Sequence, residues 1–216
     1  MFRTRIKICG ITRSEDALAA CEAGVDALGF VFWARSKRAV TPDMIRPIVA
    51  ELPPFISSVG LFLDPDADEV KRVLDGLPLS MLQFHGNESP AFCRRFGRPY
   101  LKAVGMGGPD PRAYAAQYPD AAGIMLDSHA QGQAGGTGAA FDWRQTPHDL
   151  GRPLILAGGL MPSNVREAVR IVRPWAVDVS SGVERAPGIK DAQAIRDFVA
   201  GVRMADADAS TREPSR

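Results

Sequence analysis

The 216-residue chain is short of most features that mark specialised classes of protein. It has three cysteines, Cys9, Cys21 and Cys93. That odd number, with no Cys-x-x-Cys pair, fits neither a disulfide framework nor a zinc ribbon. Charge of one sign is missing too: 26 Lys and Arg stand against 25 Asp and Glu, a net charge of +1. A near-neutral chain lacks the electrostatic footprint of a nucleic-acid or membrane-surface binder, so neither partner is expected. No uncharged apolar run approaches the ~18 residues of a bilayer-spanning helix. The longest, Phe55 to Leu63, has the length of a strand. Arg5 and Lys7 interrupt the opening residues where a signal peptide would be apolar. These absences lead us to expect a soluble, reduced, cytoplasmic protein.

What is present is an ordinary globular composition, 45% hydrophobic and 24% charged, with strict alternation of pattern. Apolar, β-branched runs at Ile6–Cys9, Ala27–Phe32, Ile56–Leu63, Met81–His85, Tyr100–Val104, Gly123–Asp127, Pro153–Ala157 and Ala176–Ser180 read as strands. Amphipathic stretches lie between them. Ser14 with Glu15 and Asp16, Thr41-Pro42-Asp43, and Pro162-Ser163-Asn164 carry helix-start chemistry: side-chain oxygens for orphan amides, Pro at the first position, early acids for the dipole. Eight βα units fit either a doubly wound sheet or a closed (β/α)₈ barrel. The first strand is followed by Gly10-Ile11-Thr12, not by a Gly-x-Gly-x-x-Gly fingerprint. The expected fold is therefore a single α/β (β/α)₈ TIM barrel over residues 1–204.

Two segments depart from the rhythm. Residues 128–142 are rich in Gly, Gln, Ala and Thr without an apolar period, the mark of a lid or disordered loop. The sixth helix is expected to be vestigial, barely a turn within Thr146–Gly151. Residues 205–216 offer no evident apolar anchor and read as a disordered tail without function.

Barrel enzymes carry their reactive groups at the C-terminal ends of strands. That rule selects Cys9 after the first strand, Ser36 and Arg38 after the second, His85 after the fourth and Asp127 after the sixth. It also selects Gly158-Gly159 after the seventh and Ser181-Gly182 after the eighth. Alternation pairs Lys7 with Cys9, Gln83 with His85 and Asp178 with Ser180 on the inward face. Cys9 alone fits a small buried hydrophobe, and Asp127 alone a loop cap. On opposite sides of one barrel mouth they make an acid–base pair. The glycines after strands seven and eight stand where barrels commonly bind phosphate through backbone amides and a helix N-terminus. Plain turn glycines are the simpler alternative.

Arg35, Lys37 and Arg38 form a small basic cluster, either a solvated loop or a carboxylate-binding fork. Gln83 and His85 read as pocket lining, His129 and His148 as inert, and Cys21 and Cys93 as packing. If the sheet closes, Lys7 and Asp178 become neighbours on strands one and eight. An inward ion pair is expected there, because a buried charge without a partner costs several kcal/mol.

Taken together the motifs resemble the phosphoribosylanthranilate isomerases of tryptophan biosynthesis. The resemblance rests on Lys7-Ile8-Cys9-Gly10-Ile11-Thr12, Gly29-Phe30-Val31-Phe32, Ser36-Lys37-Arg38 and Gln83-Phe84-His85-Gly86. It continues through Leu126-Asp127, Gly135-Gly136-Thr137-Gly138, Phe141-Asp142-Trp143 and Leu156-Ala157-Gly158-Gly159-Leu160. It closes with Asp178-Val179-Ser180-Ser181-Gly182-Val183-Glu184, Pro187-Gly188 and Lys190-Asp191. Phe84 stands where Leu is common in the family. The resemblance implies an Amadori rearrangement needing no cofactor and no metal. Cys9 would be the general base and Asp127 the general acid, with Arg38 on the anthranilate carboxylate. Gly158, Gly159, Ser181 and Gly182 would hold the phosphate, and Gln83 and His85 would line the substrate pocket. The implied partner is a small phosphoribosyl substrate, and the protein a monomer or homodimer. Bifunctional isomerases that also serve histidine biosynthesis differ in having Asp where Cys9 stands. A non-catalytic phosphosugar-binding barrel would need the glycine loops but not both Cys9 and Asp127.

Overall fold

The computed structural model describes residues 3–108, 110–128, 142–147 and 149–210. Eight parallel strands close into a barrel in sequence order: β1 (Arg5–Cys9), β2 (Ala27–Val31), β3 (Ser57–Phe62), β4 (Met81–Phe84), β5 (Tyr100–Gly105), β6 (Gly123–Asp127), β7 (Leu154–Leu156) and β8 (Ala176–Val179). The ends of each lie within one residue of the run read from sequence. Helices α1 (Ser14–Glu22), α2 (Pro42–Ala50), α3 (Ala67–Gly76), α4 (Pro90–Arg94), α5 (Pro111–Ala115), α6 (Val165–Val172) and α7 (Ala192–Ser210) follow in chain order.

Alternation sorts the side chains into two layers. Ile6, Ile8, Leu28, Phe30, Phe62, Leu82, Phe84, Ile124, Leu126, Val177 and Val179 point outward into one continuous core beneath the helices. Because both faces of a parallel sheet are covered, the strands read as near-continuous apolar runs. The inward layer is split. Leu101, Ala103, Met125, Ile155 and Ala157 form a separate apolar cluster within the barrel. Across the seam, where β1 pairs with β8 and Lys7 is in register with Asp178, the filling is polar. Lys7 Nζ lies 2.7 Å from Asp178 Oδ1, so the expected ion pair is present and nearly solvent-free.

Local signals account for several helix starts. Thr41 accepts a hydrogen bond from the Met44 amide ahead of Pro42, as its sequence indicates. Asp66, Ser89 and Asp110 cap α3, α4 and α5 in the same way. At α1 the cap position is Arg13, one residue before Ser14, and no side chain caps it. Arg13 instead pairs with Asp16.

Three expectations need correction. Among the described residues of 146–151 there is no helical turn; a short 3₁₀ turn over Trp143–Gln145, capped by Asp142, comes just before them. A two-stranded hairpin, β9 (Glu184–Ala186) and β10 (Ile189–Lys190), follows β8 and adds to the eight expected strands. The barrel domain also does not end at residue 204. Helix α7 runs to Ser210, and residues 205–210 are docked rather than disordered. Ala205 is buried, and the Asp206 carboxylate accepts from both the Thr4 amide (3.0 Å) and the Thr4 hydroxyl (2.7 Å). Residues 211–216 lie outside the described residues, as do 129–141 of the expected lid, with His129, and His148.

Ending the chain after Met204 is therefore expected to destabilise it. Thr4 is buried, and a buried donor stripped of its partner costs about 1–3 kcal/mol. For a domain of this size that lowers Tm by about 2–4 °C per kcal/mol. Thermal melts of chains ended at 204 and at 210 check this; equal melting temperatures would show that the last turns of α7 do not brace the N-terminus.

Candidate active site

At the C-terminal end of the barrel a single pocket collects every residue selected from sequence. Cys9, Arg38, Gln83, His85 and Asp127 line it, together with Gly158, Gly159, Ser181 and Gly182. Cys9 on β1 and Asp127 on β6 stand on different walls, both buried. No described group of three or more His, Cys, Asp and Glu side chains is arranged to hold a metal ion.

Arg38 alone of its basic cluster turns inward; Arg35 and Lys37 are exposed. Its path runs over Gly10, which has φ +77° and where a methyl group would come within 2.5 Å of Arg38 Cδ. Glu184 then takes one edge of the guanidinium, Nε to Oε1 and one terminal nitrogen to Oε2, each at 2.7 Å. A guanidinium carries five N–H donors. Glu184 takes up two of them, and Arg38 itself lines the pocket. Glu184 also accepts from Lys190 Nζ at 2.8 Å, and Lys190 donates to the backbone carbonyl of Cys9 at 2.6 Å. Burial pushes the Glu184 carboxyl up, but Arg38 and Lys190 outweigh it and hold the group below its usual range. Burial pushes Lys190 down against the pull of Glu184.

Glu184 and Lys190 are the residues that reading by strand ends missed. Both lie on the hairpin past β8, on either side of the Pro187-Gly188 turn, where Gly188 has φ +78°. That turn between two short runs was the available signal.

On the opposite wall, the Gln83 amide stands 3.1 Å from His85 Nδ1. Donation there makes Nδ1 the acceptor and leaves the proton on Nε2, which faces Asp127 Oδ2 at 3.5 Å. Burial lowers the His85 pKa despite the nearby Asp127 carboxylate. Gln83 Oε1 is buried without a protein partner, so the pocket wall retains hydrogen-bonding capacity.

The two glycine loops are tightly built. Gly158 and Gly159 have φ of +81° and +65°. Behind them Asn164 ties the loop to the start of α6: its Nδ2 donates to the Gly159 carbonyl and its Oδ1 accepts from the Met161 amide, each at 2.9 Å. Gly182, in a 3₁₀ turn over Ser181–Val183, packs against the Leu160 backbone; a methyl group there would overlap the Leu160 carbonyl oxygen. Backbone amides gathered this closely beside a helix N-terminus are suited to an anion.

The family model of N-(5'-phosphoribosyl)anthranilate (PRA) isomerase matches residues 6–201. The chain belongs to this family. A PRA isomerase from Pseudomonas aeruginosa is 57% identical over 204 residues, covering 94% of this chain and 97% of the relative. Among solved structures, a phosphoribosyl anthranilate isomerase in complex with reduced 1-(o-carboxyphenylamino)-1-deoxyribulose 5-phosphate superposes with a TM-score of 0.83. It is 40% identical and covers 93% of this chain and 99% of that one. Monomers generated from the dimeric Thermotoga maritima isomerase give a TM-score of 0.81 at 39% identity, with the same coverage. Both monomeric and dimeric forms thus occur among the PRA isomerases this chain resembles. No helix among the described residues is long and apolar enough to cross a membrane.

Proposed function

We propose that this chain catalyses the cofactor-free Amadori rearrangement of N-(5-phospho-β-D-ribosyl)anthranilate to 1-(2-carboxyphenylamino)-1-deoxy-D-ribulose 5-phosphate in L-tryptophan biosynthesis. The observation that carries this reading is one pocket whose walls bring together the Cys9 thiol, the Asp127 carboxylate, the Arg38 guanidinium and two glycine loops. Those groups match the demands of the substrate one for one.

The phosphate sits against the amides of Gly158, Gly159, Ser181 and Gly182, at the entrance to α6. The anthranilate carboxylate meets the far edge of Arg38, which Glu184 holds in place. The ribose then spans the mouth between Cys9 and Asp127, with Gln83 and His85 along its wall. Asp127 protonates the ring oxygen as the C1′–O bond opens, and the nitrogen lone pair forms an iminium. The iminium makes the C2′ hydrogen acidic enough for a side-chain base. Cys9, as thiolate, takes it, and the C–H electron pair becomes the C1′–C2′ double bond. Return of a proton to C1′, with loss of the C2′ hydroxyl proton to water, gives the ketose. Positioned acids and bases of this kind each contribute about 10²–10⁴-fold. The liganded relative at 40% identity supports the reading, since its bound molecule is a reduced form of this product.

Expression in a bacterial strain lacking this isomerase tests the proposal. Growth without tryptophan should return; no growth despite soluble protein would contradict it. Arg38→Met should raise KM about 10- to 100-fold with little change in kcat, since a hydrogen bond to a charged group contributes about 1.5–3 kcal/mol and this one holds ground and transition states alike. Steady-state kinetics check this, and an unchanged KM would remove Arg38 from carboxylate binding.

A further inference from the structure

The mechanism above leaves Lys7 and Asp178 without a task. Both are buried, both face inward from the closing seam, and Asp178 lines the same pocket as Cys9. The Lys7 ammonium lies 2.7 Å from Asp178 Oδ1, and it converges with the Cys9 sulfur on the same spot over Gly29. Space for the two side chains comes from β2, where Gly29 is in register with Cys9. A methyl group on Gly29 would stand 2.9 Å from Cys9 Sγ and 3.0 Å from Lys7 Nζ. Filling the barrel does not require such a pair. The other half of the interior is packed with apolar side chains. Replacing a buried ion pair by apolar residues of similar volume is often neutral or stabilising.

We propose that Lys7, anchored by Asp178, is a positioning residue of the reaction: it holds the Cys9 sulfur at the pocket floor and acts as its counter-ion. The proposal rests on the reading of Cys9 as the general base. Lys7 stays an ammonium and Asp178 a carboxylate throughout. The Cys9 proton leaves to water before the substrate is bound. At the C2′ step the sulfur takes the substrate proton and becomes a neutral thiol, while the electron pair left behind neutralises the iminium. The Lys7 contact thus favours the state of Cys9 that precedes proton transfer.

The charges facing Cys9 support this assignment. They are Lys7 from β1, Asp178 from β8, Lys190 from β10, and Arg38 from the loop after β2. Burial pushes the Cys9 thiol above its ordinary value; Lys7 is the largest influence opposing it, followed by Asp178 in the other direction and then Lys190. Removing Lys7 therefore leaves burial least opposed.

The test combines two pH profiles, the rate of Cys9 alkylation by iodoacetamide, resolved by peptide, and kcat. The variants are Lys7→Met, Lys7→Arg and the double variant Lys7→Met with Asp178→Asn. The double variant leaves no unpaired buried carboxylate, so a folding defect of the single variant does not decide the matter. Cys21, partly exposed on α1, is the internal reference, whereas burial pushes Cys93 up to about 12 and keeps it unreactive. Lys7→Met should raise the alkylation midpoint of Cys9 by at least about one pH unit, and the double variant, which also removes the opposing Asp178 charge, should raise it by a smaller amount, with Cys21 unmoved. The rising limb of kcat should shift with it, and kcat near neutrality should fall at least about tenfold, one pKa unit corresponding to a tenfold change in thiolate. Lys7→Arg should recover most of the loss. A folded double variant with the wild-type alkylation midpoint and rising limb would reduce the pair to packing and overturn the proposal. Cys9→Ala with undiminished kcat would instead overturn the general-base reading beneath it.

Discussion

Cys9→Ala and Asp127→Asn are each expected to lower kcat by at least about 100-fold while the barrel stays folded, because each removes a group proposed to act chiefly in the transition state. Neither change disturbs the frame. Cys9 ends β1 within a dense strand environment, and alanine removes only the sulfur. Asp127→Asn keeps the shape of the carboxyl group but leaves no acidic proton to give. Affinity for the reduced product analogue should change by less than about threefold, since the proposed phosphate and carboxylate holders are untouched. The double variant should be little worse than the poorer single one, as expected when two groups act on one reaction sequence. Equal falls in kcat and analogue affinity would point to damage of the pocket, not to lost proton transfer.

Gly182→Ala should be nearly as severe, for a geometric reason. The added methyl would overlap the Leu160 carbonyl oxygen, and backbone on both sides leaves no flexible side chain to yield. The turn after β8 must move away from the loop after β7, pulling apart the two glycine loops proposed to hold the phosphate. A displacement on the order of 1 Å in a positioning element can cost about 100-fold. We therefore expect kcat/KM to fall by about that factor. The informative comparison is between the product analogue and its dephosphorylated form. Wild type should prefer the phosphorylated molecule strongly, and Gly182→Ala should lose most of that preference. A variant that keeps the preference would place the phosphate elsewhere.

The barrel was legible in the sequence because parallel strands buried on both faces leave long β-branched runs, and turn residues bracket each one. Closure could be read from eight such units and led directly to the Lys7–Asp178 neighbourhood. The sixth connection was less clear, because a 3₁₀ turn leaves no periodicity to detect. The C-terminal helix escapes sequence reading for a different reason. Its last turns present Ala-Asp-Ala-Asp, and their anchoring comes from one small buried Ala205 and from Asp206 capping Thr4, about two hundred residues earlier in the chain. Neither contact has a local signature.

The site divides in the same way. Cys9, His85 and Asp127 follow from strand ends and alternation alone. Arg38 was visible as part of a basic cluster, but only the fold shows why it, and not Arg35 or Lys37, turns inward: Gly10 clears its path and Glu184 grips it. Glu184 and Lys190 come from the hairpin past β8 and contact Arg38 and the Cys9 carbonyl, a long-range arrangement that strand-end reasoning does not contain.

The most direct test of the account is turnover of freshly generated phosphoribosylanthranilate in D₂O, followed by loss of its fluorescence, with mass analysis of the product. Removal of the C2′ hydrogen and return of a solvent proton to C1′ predict fast wild-type turnover and a product one mass unit heavier on carbon, with Cys9→Ala unable to produce it at a comparable rate. A wild-type protein that binds the product analogue but leaves the fluorescence at its uncatalysed decay would contradict the account and leave a phosphosugar-binding barrel.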